Sequence, residues 1–574
     1  MPIATETIAD DDSTPEARAA SLRVAYGMNP TFLFSQPTRV LRAFTRDEAL
    51  EALTIAERAQ RDGAWIAGYL AYELGVALMG LPHHASASPL LLLGIYDAPT
   101  QIDVSRAAKA SLSPLRSRVS PSCYIERVAS IQQALYHGDL YQVNLTVPFD
   151  ARYDGDPWSL YGILARAANV PHCAFIEDEN TAYLSLSPEL FLRMRNGELL
   201  CKPMKGTAPL DDPQLIDDEK NRAEHLMIVD LVRNDFHRVA TDVRVVKPFE
   251  KEFYPTFVTM TSEIHGRLDM SRPFLEVLKA TFPCGSITGA PKEAAVRAIT
   301  ALESEARRAY CGSFGYLAPN GDGEWNVAIR TLQLDTKKKS ARFDVGGGIV
   351  ADSNAADEWR EILIKSRFLT AATEPLTIWE TFAADSDRTP HEQRLLATAA
   401  AFDVPLDATR LERYLAAIPH HPSTLVRLRA HDDGSITHTI EALPENPIVA
   451  DILFADETVD SADPFLAWKT SWRPIHRRAF ARATESGCFD AILTNERGEI
   501  TEGTRTTIFM ERDGRLHTPP LECGLLPGVL RARLIASGRA VETRITRAEL
   551  VSAHTLYIGN AARGLIRAHL VKES

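Results

Sequence analysis

The apolar and polar positions of this chain change period many times, which predicts helices and strands in alternation from Leu22 onward. Tyr124, Val128, Ile131, Ala134 and Leu135 fall at helical spacing, Gly138-Asp139 closes that helix, and Leu140 to Thr146 reads as a strand. Ala182 to Met194 is a strand-like run ending in a turn at Asn196-Gly197. Lys220 to Phe236 predicts a helix with Leu226, Val229 and Val232 as its apolar stripe. Further on, Thr377 to Phe382 predicts a strand, and His391 to Leu395 the opening of a helix. Phe489 to Thr504 predicts two strands about an Asn-Glu-Arg-Gly turn, and Gly524 to Arg531 a loop that opens a helix.

Three stretches break the pattern. Residues 1–20 are polar and acidic without aromatics, and are expected to be disordered. Thr100 to Pro121 is rich in Ala and Ser and reads as a link between an N-terminal subregion and a core. Around Leu369 to Pro375 the pattern stops and restarts, which divides the chain into domains at 21–370 and 376–574. The length of 574 residues fits at least two large domains.

Composition then narrows the function. With 45% hydrophobic residues, 24% charged residues and a mean hydropathy of -0.15, the chain has an ordinary globular make-up. A net charge of -13 and a pI near 5.7 argue against nucleic acid or an anionic membrane as partner, while leaving room for small anions bound by local Arg and Lys. Seven cysteines without a C-x-x-C pair suit a reducing, cytoplasmic setting. The N-terminus lacks the basic and apolar regions of a signal peptide, and the apolar run Pro89 to Ile95 is only strand length.

Several segments then carry candidate chemistry. Lys202-Pro203-Met204-Lys205-Gly206-Thr207 reads as a strand end meeting a tight turn, which presents one amine and backbone N–H groups, although alone it also fits a plain solvated turn. Gln142 alone reads as a strand residue on a wet face, and Glu189 as a surface glutamate fixed in place by Pro188. Glu224, Asp230, Arg233 and Asp235 crowd the 220–236 helix beyond what an amphipathic helix needs. Glu358, Glu361 and Lys365 share one helical face, as they also would in a salt-bridged surface helix. Phe282 to Lys292 is a Gly/Pro-punctuated loop opening a helix, with amides suited to an anion. Arg330 ends a strand in Ala-Ile-Arg-Thr, and Gly346, Gly347 and Gly348 bring bare backbone together.

Taken over residues 60–365, these segments resemble the chorismate-utilising enzymes, whose signature is Pro-Ile-(Ala or Lys)-Gly-Thr; Met204 here replaces the Ile. The Lys form, matched by Lys205, resembles aminodeoxychorismate synthase component I, and the Ala form anthranilate synthase. The resemblance implies that Lys205 is a covalent nucleophile toward the ring and Glu189 the acid that protonates its departing hydroxyl. It implies that Gln142 marks an enzyme adding ammonia, where members adding water carry a lysine base. Glu224 and Glu361 are implied as Mg²⁺ ligands with Glu358 supporting them. Gly206, Thr207, Thr288, Tyr310, Arg330, Gly346, Gly347, Gly348 and Lys365 are implied to meet the substrate, Thr288 touching the ring. The histidine that the anthranilate branch carries within the segment matching Val258 to Ser262 is absent.

The C-terminal segments resemble the fold-type IV pyridoxal 5'-phosphate enzymes, above all aminodeoxychorismate lyase. Here Lys469 is implied as the cofactor-bonding lysine and proton-moving base. Glu502 faces the pyridine nitrogen, and Arg394, Leu526, Gly528 and Val529 hold the phosphate end. After Lys365 the chain has only Lys469 and Lys572, the latter in the tail. Thr507 stands where the family commonly has Asn.

The fold expected from the two resemblances is α+β: a chorismate-binding antiparallel sheet sandwich with helices outside, then a fold-type IV domain of two α/β subdomains. The function implied is two consecutive steps, chorismate plus ammonia to 4-amino-4-deoxychorismate, then elimination of pyruvate to 4-aminobenzoate. No G-x-C-x-G glutaminase segment occurs, so a separate glutamine amidotransferase subunit is the expected ammonia source, and a homodimer through the second domain is implied. The competing readings are an anthranilate synthase component I fused to a class IV aminotransferase, and an inactive binding domain that regulates a glutaminase.

Overall fold

A computed structural model describes residues 22–571 apart from 29–30, 103, 105–108, 209, 211–218, 256, 270, 419–422 and 444; the expected disorder of 1–20 and the tail residue Lys572 lie outside the described residues. The chain forms two compact units, 1–373 and 374–574.

The first unit is built on two antiparallel sheets. One runs, neighbour by neighbour, through Gln142–Asp154, Ser340–Ile349, Thr331–Asp335, Thr181–Ser187, His172–Asp178, Arg23–Tyr26 and Thr31–Phe34. The other runs through Met204–Ala208, Phe257–Leu268, Glu198–Lys202, Leu190–Arg195, Gly323–Asn326, Ser313–Leu317, Trp65–Leu70, Leu91–Tyr96 and Arg39–Ala43. Strand residues alternate between faces. Val24, Tyr26, Ile176 and Tyr183 of the first sheet therefore pack on Tyr69, Leu92 and Phe314 of the second, and the Tyr69 and Tyr183 hydroxyls meet at 3.1 Å. Ala25, Phe175 and Leu184 turn the other way, into a core shared with Leu160, Tyr161 and Leu164 of helix Pro157–Ala168. This is the expected sandwich with helices outside.

Three details differ from the sequence reading, and each bears on the site. The run from Ala182 to Met194 is two strands, Thr181–Ser187 and Leu190–Arg195, in different sheets. Pro188 has no N–H for a ladder, so the chain crosses between sheets there and leaves Glu189 at the crossing. The stretch Thr100 to Pro121 is no free link: Thr100–Ile102, Ser111–Leu112 and Arg116–Ser117 add short antiparallel pairs to the same scaffold, and the N-terminal strands belong to the same two sheets. In helix Glu219–His237 the buried face is His225, Ile228, Val229, Val232 and Phe236, and Leu226 is half exposed. The buried set follows i, i+3, i+4 spacing, whereas Leu226 sits one position off it.

The second unit has two layers of its own. Strands Thr377–Ala383, Thr424–His431 and Ile436–Ala442 form an antiparallel sheet sharing a core with helices Thr389–Ala401 and Ala408–Ala416. A mixed sheet centred on Ala450–Val459, which pairs in parallel with both Asp490–Asn495 and Gly564–Leu570, carries helices Pro474–Glu485 and Val529–Ala536. These are the two expected α/β subdomains. Among the described residues no helix is long and apolar enough to cross a membrane.

Candidate active sites

The first unit holds a cavity of about 330 Å³ at the place where the two sheets exchange strands. Lys205 enters it from strand Met204–Ala208, directly before Gly206, whose φ of 69° lies in the left-handed region that glycine tolerates best. Burial lowers the Lys205 amine from its ordinary pKa; Glu224 and Lys365 pull in opposite directions on what remains. Glu189 faces the same space, 2% exposed, and burial raises its carboxyl to about 7 against the opposing pull of Ser286 and Lys205. The Ser286 hydroxyl donates to Glu189 Oε1 at 2.7 Å.

Gln142 is fully buried, not on a wet face, and neither its Oε1 nor its Nε2 has a partner. A Cβ added at Gly348 would collide with the Gln142 amide and approach Lys205 Nζ to 2.9 Å, so this glycine leaves room for the two side chains beside each other. Arg330 lies 3.8 Å from the ring centroid of Phe257 and, among the described residues, is within ion-pair distance of no carboxylate. Burial holds its guanidinium down to about 10. Gly346, Gly348 and Tyr310 complete that wall.

Glu224 comes from helix Glu219–His237, and Glu358, Glu361 and Lys365 from helix Ala355–Lys365; all four line the cavity. Lys365 Nζ meets Glu361 Oε1 at 2.8 Å and donates to the Gly346 carbonyl at 2.9 Å, while Ser353 donates to Glu358 at 2.7 Å.

Two expected contacts fall elsewhere. Thr288 does not line the cavity; its hydroxyl donates to the Cys284 carbonyl at 2.8 Å, and Ser286 and Ile287 form the wall at this turn. Gly347 points its open side toward Glu358 instead, as the alternation of a strand requires. Thr207 is described only as a strand position paired with Thr259. The sequence reading missed Ser286, two residues before the chosen Thr288 in the same loop, along with Asn144 and Asn221 in the wall.

The second unit holds a cavity of about 300 Å³ lined by Arg394, Lys469, Glu502, Leu526, Gly528 and Val529. Burial and the nearby Arg394, Arg473 and Arg427 lower the Lys469 amine to about 8, with Glu380 opposing. Glu380 escaped the sequence reading, although its strand was recognised. It is 1% exposed, takes contacts from His391 Nδ1 and Arg394 Nε at 2.7 Å, and lies 3.9 Å from Lys469 Nζ. Burial alone would raise its pKa, but Lys469, His391 and Arg394 together hold it at about 2. Glu502 is likewise kept anionic despite burial by His476 at 3.0 Å, Arg473 at 3.1 Å and the Leu526 N–H at 3.2 Å. Thr507 stands in the wall opposite Gly528.

Comparison with known proteins fits both cavities. Residues 13–371 match the chorismate binding enzyme family. The chain belongs to that family. Residues 387–571 match the class IV amino-transferases. Aminodeoxychorismate synthase component 1 of Salmonella typhimurium is 35% identical over 401 residues, covering 62% of this chain and 87% of the relative. The Klebsiella aerogenes protein of the same name is 38% identical over 338 residues, covering 52% and 74%. Anthranilate synthase component I from Streptococcus pneumoniae superposes with a TM-score of 0.50 at 25% identity, covering 64% of this chain and 95% of its own.

The chorismate-binding unit fits a magnesium ion that its substrate completes. Among the described residues no three His, Cys, Asp or Glu side chains are gathered closely enough to hold a metal by themselves. Glutamates from two helices nevertheless face one cavity, and Mg²⁺ is commonly held by one or two carboxylates, with water and substrate oxygens supplying the rest. The class IV unit fits pyridoxal phosphate. Thr470 Oγ1 and Arg473 Nε are buried without partners at this cavity. A Cβ on Gly528 would press on Thr507 Oγ1 at 3.0 Å, so the bare backbone before helix Val529–Ala536 leaves a cradle.

The raised carboxyl of Glu189 makes a prediction. Below its pKa of about 7 the Glu189 carboxyl carries a proton, so turnover that draws on that proton should slow as pH rises through that value. Glu189→Gln should lose this limb and retain at most about 1% of the rate. A limb that persists in the variant would belong to another group.

Proposed function

We propose that the chain makes 4-aminobenzoate from chorismate in two steps, the first unit forming 4-amino-4-deoxychorismate and the second eliminating pyruvate from it. The observation that carries this reading is the juxtaposition of Lys205, its amine pKa lowered by burial, with the raised acid Glu189 and with Arg330 in one chorismate-family cavity, the partnerless Gln142 amide lying behind Gly348 beside Lys205. Arg330 supplies an unpaired cation for one substrate carboxylate. Glu189 protonates the leaving C4 hydroxyl, and Lys205 attacks C2. Gln142 offers an amide oxygen and N–H pair beside Lys205, suited to ammonia, which needs no base.

Glu224 and Glu361 would hold Mg²⁺, which supplies positive charge for a substrate carboxylate. In the second unit pyridoxal phosphate, when bound, supplies the electron sink. Lys469 takes the proton from the amino-bearing ring carbon, Glu502 keeps a negative charge for the pyridine nitrogen, and Arg394 and the Gly528–Val529 backbone hold the phosphate. Loss of the enolpyruvyl ether as pyruvate then aromatises the ring. A separate glutamine amidotransferase as the ammonia donor, a cytoplasmic location and a homodimer through the second unit are parts of the same reading.

The test is one mixture of full-length protein, chorismate, Mg²⁺, ammonium salt and pyridoxal phosphate, with products separated by mass and retention time. 4-Aminobenzoate with equimolar pyruvate is expected. 2-Aminobenzoate would favour the anthranilate reading, and chorismate binding without turnover would favour a regulatory domain. Glu361→Gln should raise the Mg²⁺ concentration for half activity about tenfold or more. Activity in excess chelator would remove the metal from the scheme.

A further inference from the structure

The mouth of the second cavity contains cations that the scheme above leaves unused. Arg427, Arg505 and Arg563 all line it. Arg427 is answered by Glu441 at 3.2 Å. Arg505 and Arg563 have no carboxylate within ion-pair distance among the described residues. The Arg505 guanidinium lies 4.5 Å from the ring centroids of both Phe480 and Phe489, and its Nη2 donates to the Phe489 carbonyl at 2.7 Å. Arg563 lies 5.4 Å from the same Phe489 ring and reaches the Asn446 side chain at 3.2 Å. Asp490, at the start of strand Asp490–Asn495, acts on Arg505 through space, but its carboxylate is held by the Thr504 and Thr506 hydroxyls and the Ala491 and Thr504 N–H groups. Two guanidinium groups are thus held in place by aromatic rings and neutral acceptors, with no carboxylate paired to either among the described residues. Burial lowers both from the ordinary arginine value; Asp490 opposes this at Arg505, while Arg505 and Arg427 add to it at Arg563.

We propose that Arg505 and Arg563 form a carboxylate-binding arm of this cavity, which selects an amine substrate carrying two carboxylates over an ordinary amino acid. The proposal rests on the lyase reading and names what that site recognises. A single α-carboxylate leaves one guanidinium unanswered. A ring bearing one carboxylate and an enolpyruvyl ether bearing a second can answer both, through bidentate charge-assisted hydrogen bonds. Arginine packed on an aromatic ring keeps the edge of its planar fork available, so the Phe489 ring helps aim both groups while only Nη2 of Arg505 is spent on the Phe489 carbonyl.

The test uses the full-length protein loaded with pyridoxal phosphate and supplied with 4-amino-4-deoxychorismate, with pyruvate release followed. Arg505→Gln and Arg563→Gln should each raise KM about tenfold or more while kcat changes less than about threefold, and the KM of the wild type should rise with salt more steeply than that of the double variant. The KM for chorismate in the first reaction should stay unchanged, which checks folding. A second readout needs no turnover. Isophthalate, a ring with two carboxylates, should perturb the visible absorption of the loaded wild type at concentrations about tenfold or more below those needed for the double variant. Wild-type turnover with an unaltered KM in the double variant overturns the arm and leaves the lyase reading standing. No wild-type turnover, with the isophthalate difference intact, overturns the lyase reading and supports the arm.

Discussion

Replacing Lys205 by alanine is expected to cut formation of 4-amino-4-deoxychorismate by at least about 10²-fold, with chorismate binding little changed. The amine lies in the cavity wall, and its pKa is lowered chiefly by burial, so a neutral, nucleophilic fraction exists well below the pH an exposed lysine would require. In the proposed step the Nζ–C2 bond forms, the two ring double bonds shift from C1=C2 and C5=C6 to C1=C6 and C4=C5, and the C4–O bond breaks as Glu189 delivers its proton and water leaves. Ammonia then forms the C4–N bond, both double bonds shift back and Lys205 is expelled, so no atom of the enzyme remains on the product. The arrangement supports this pairing because a large fraction of Glu189 is protonated at neutral pH and Gln142 presents unengaged polar atoms next to the lysine. Without Lys205, ammonia has a route to C2 itself, so a trace of 2-amino product is the expected side outcome. The measurement is product identity and rate at saturating chorismate and ammonia. A variant that keeps both the rate and the 4-amino product would exclude the covalent role.

Lys469→Ala should leave the first reaction untouched and lower pyruvate release by about 10³-fold or more. Lys469 is the only lysine among the described residues of the second unit, and its amine, lowered to about 8, is poised to exchange a proton near neutral pH. Glu380, 3.9 Å from the Lys469 Nζ and itself paired with Arg394, fixes its surroundings. The variant should accumulate 4-amino-4-deoxychorismate from chorismate, and it should fail to take on the yellow colour of the loaded protein. An ordinary aminotransferase would need a keto acid, so adding one should not restore turnover. Normal 4-aminobenzoate formation by this variant, in preparations free of other lyase, would take Lys469 out of the mechanism.

Much of this was present in the one-dimensional pattern. The series Lys205-Gly206, Glu224, Arg330, the Gly346–Gly348 run and Glu361 could be read because each motif is local: a turn, a helix face or a strand end needs only neighbours three or four positions away to show its type. The class IV series from Arg394 through Lys469, Glu502 and Gly528 was legible through its resemblance to the fold-type IV enzymes. The number of large units also followed from length and from the break near residue 370.

Tertiary structure decided what those motifs meet. Pro188 forbids a continuous ladder, but only the two sheets show that the chain changes layers there and leaves Glu189 buried beside Lys205. Gln142 read as a wet strand position because a two-residue period says which face a side chain takes and not whether that face is covered. Ser286 stayed hidden because loop residues carry no period at all, and its contact with Glu189 spans 97 positions. Glu380 sat in a recognised strand without distinction until His391, Arg394 and Lys469 closed on it. Local propensity and hydrophobic spacing thus determined the elements, and family resemblance pointed to the chemistry-bearing residues, whereas the burial that shifts Lys205, Glu189, Arg330 and Lys469 arose only where distant segments excluded water together.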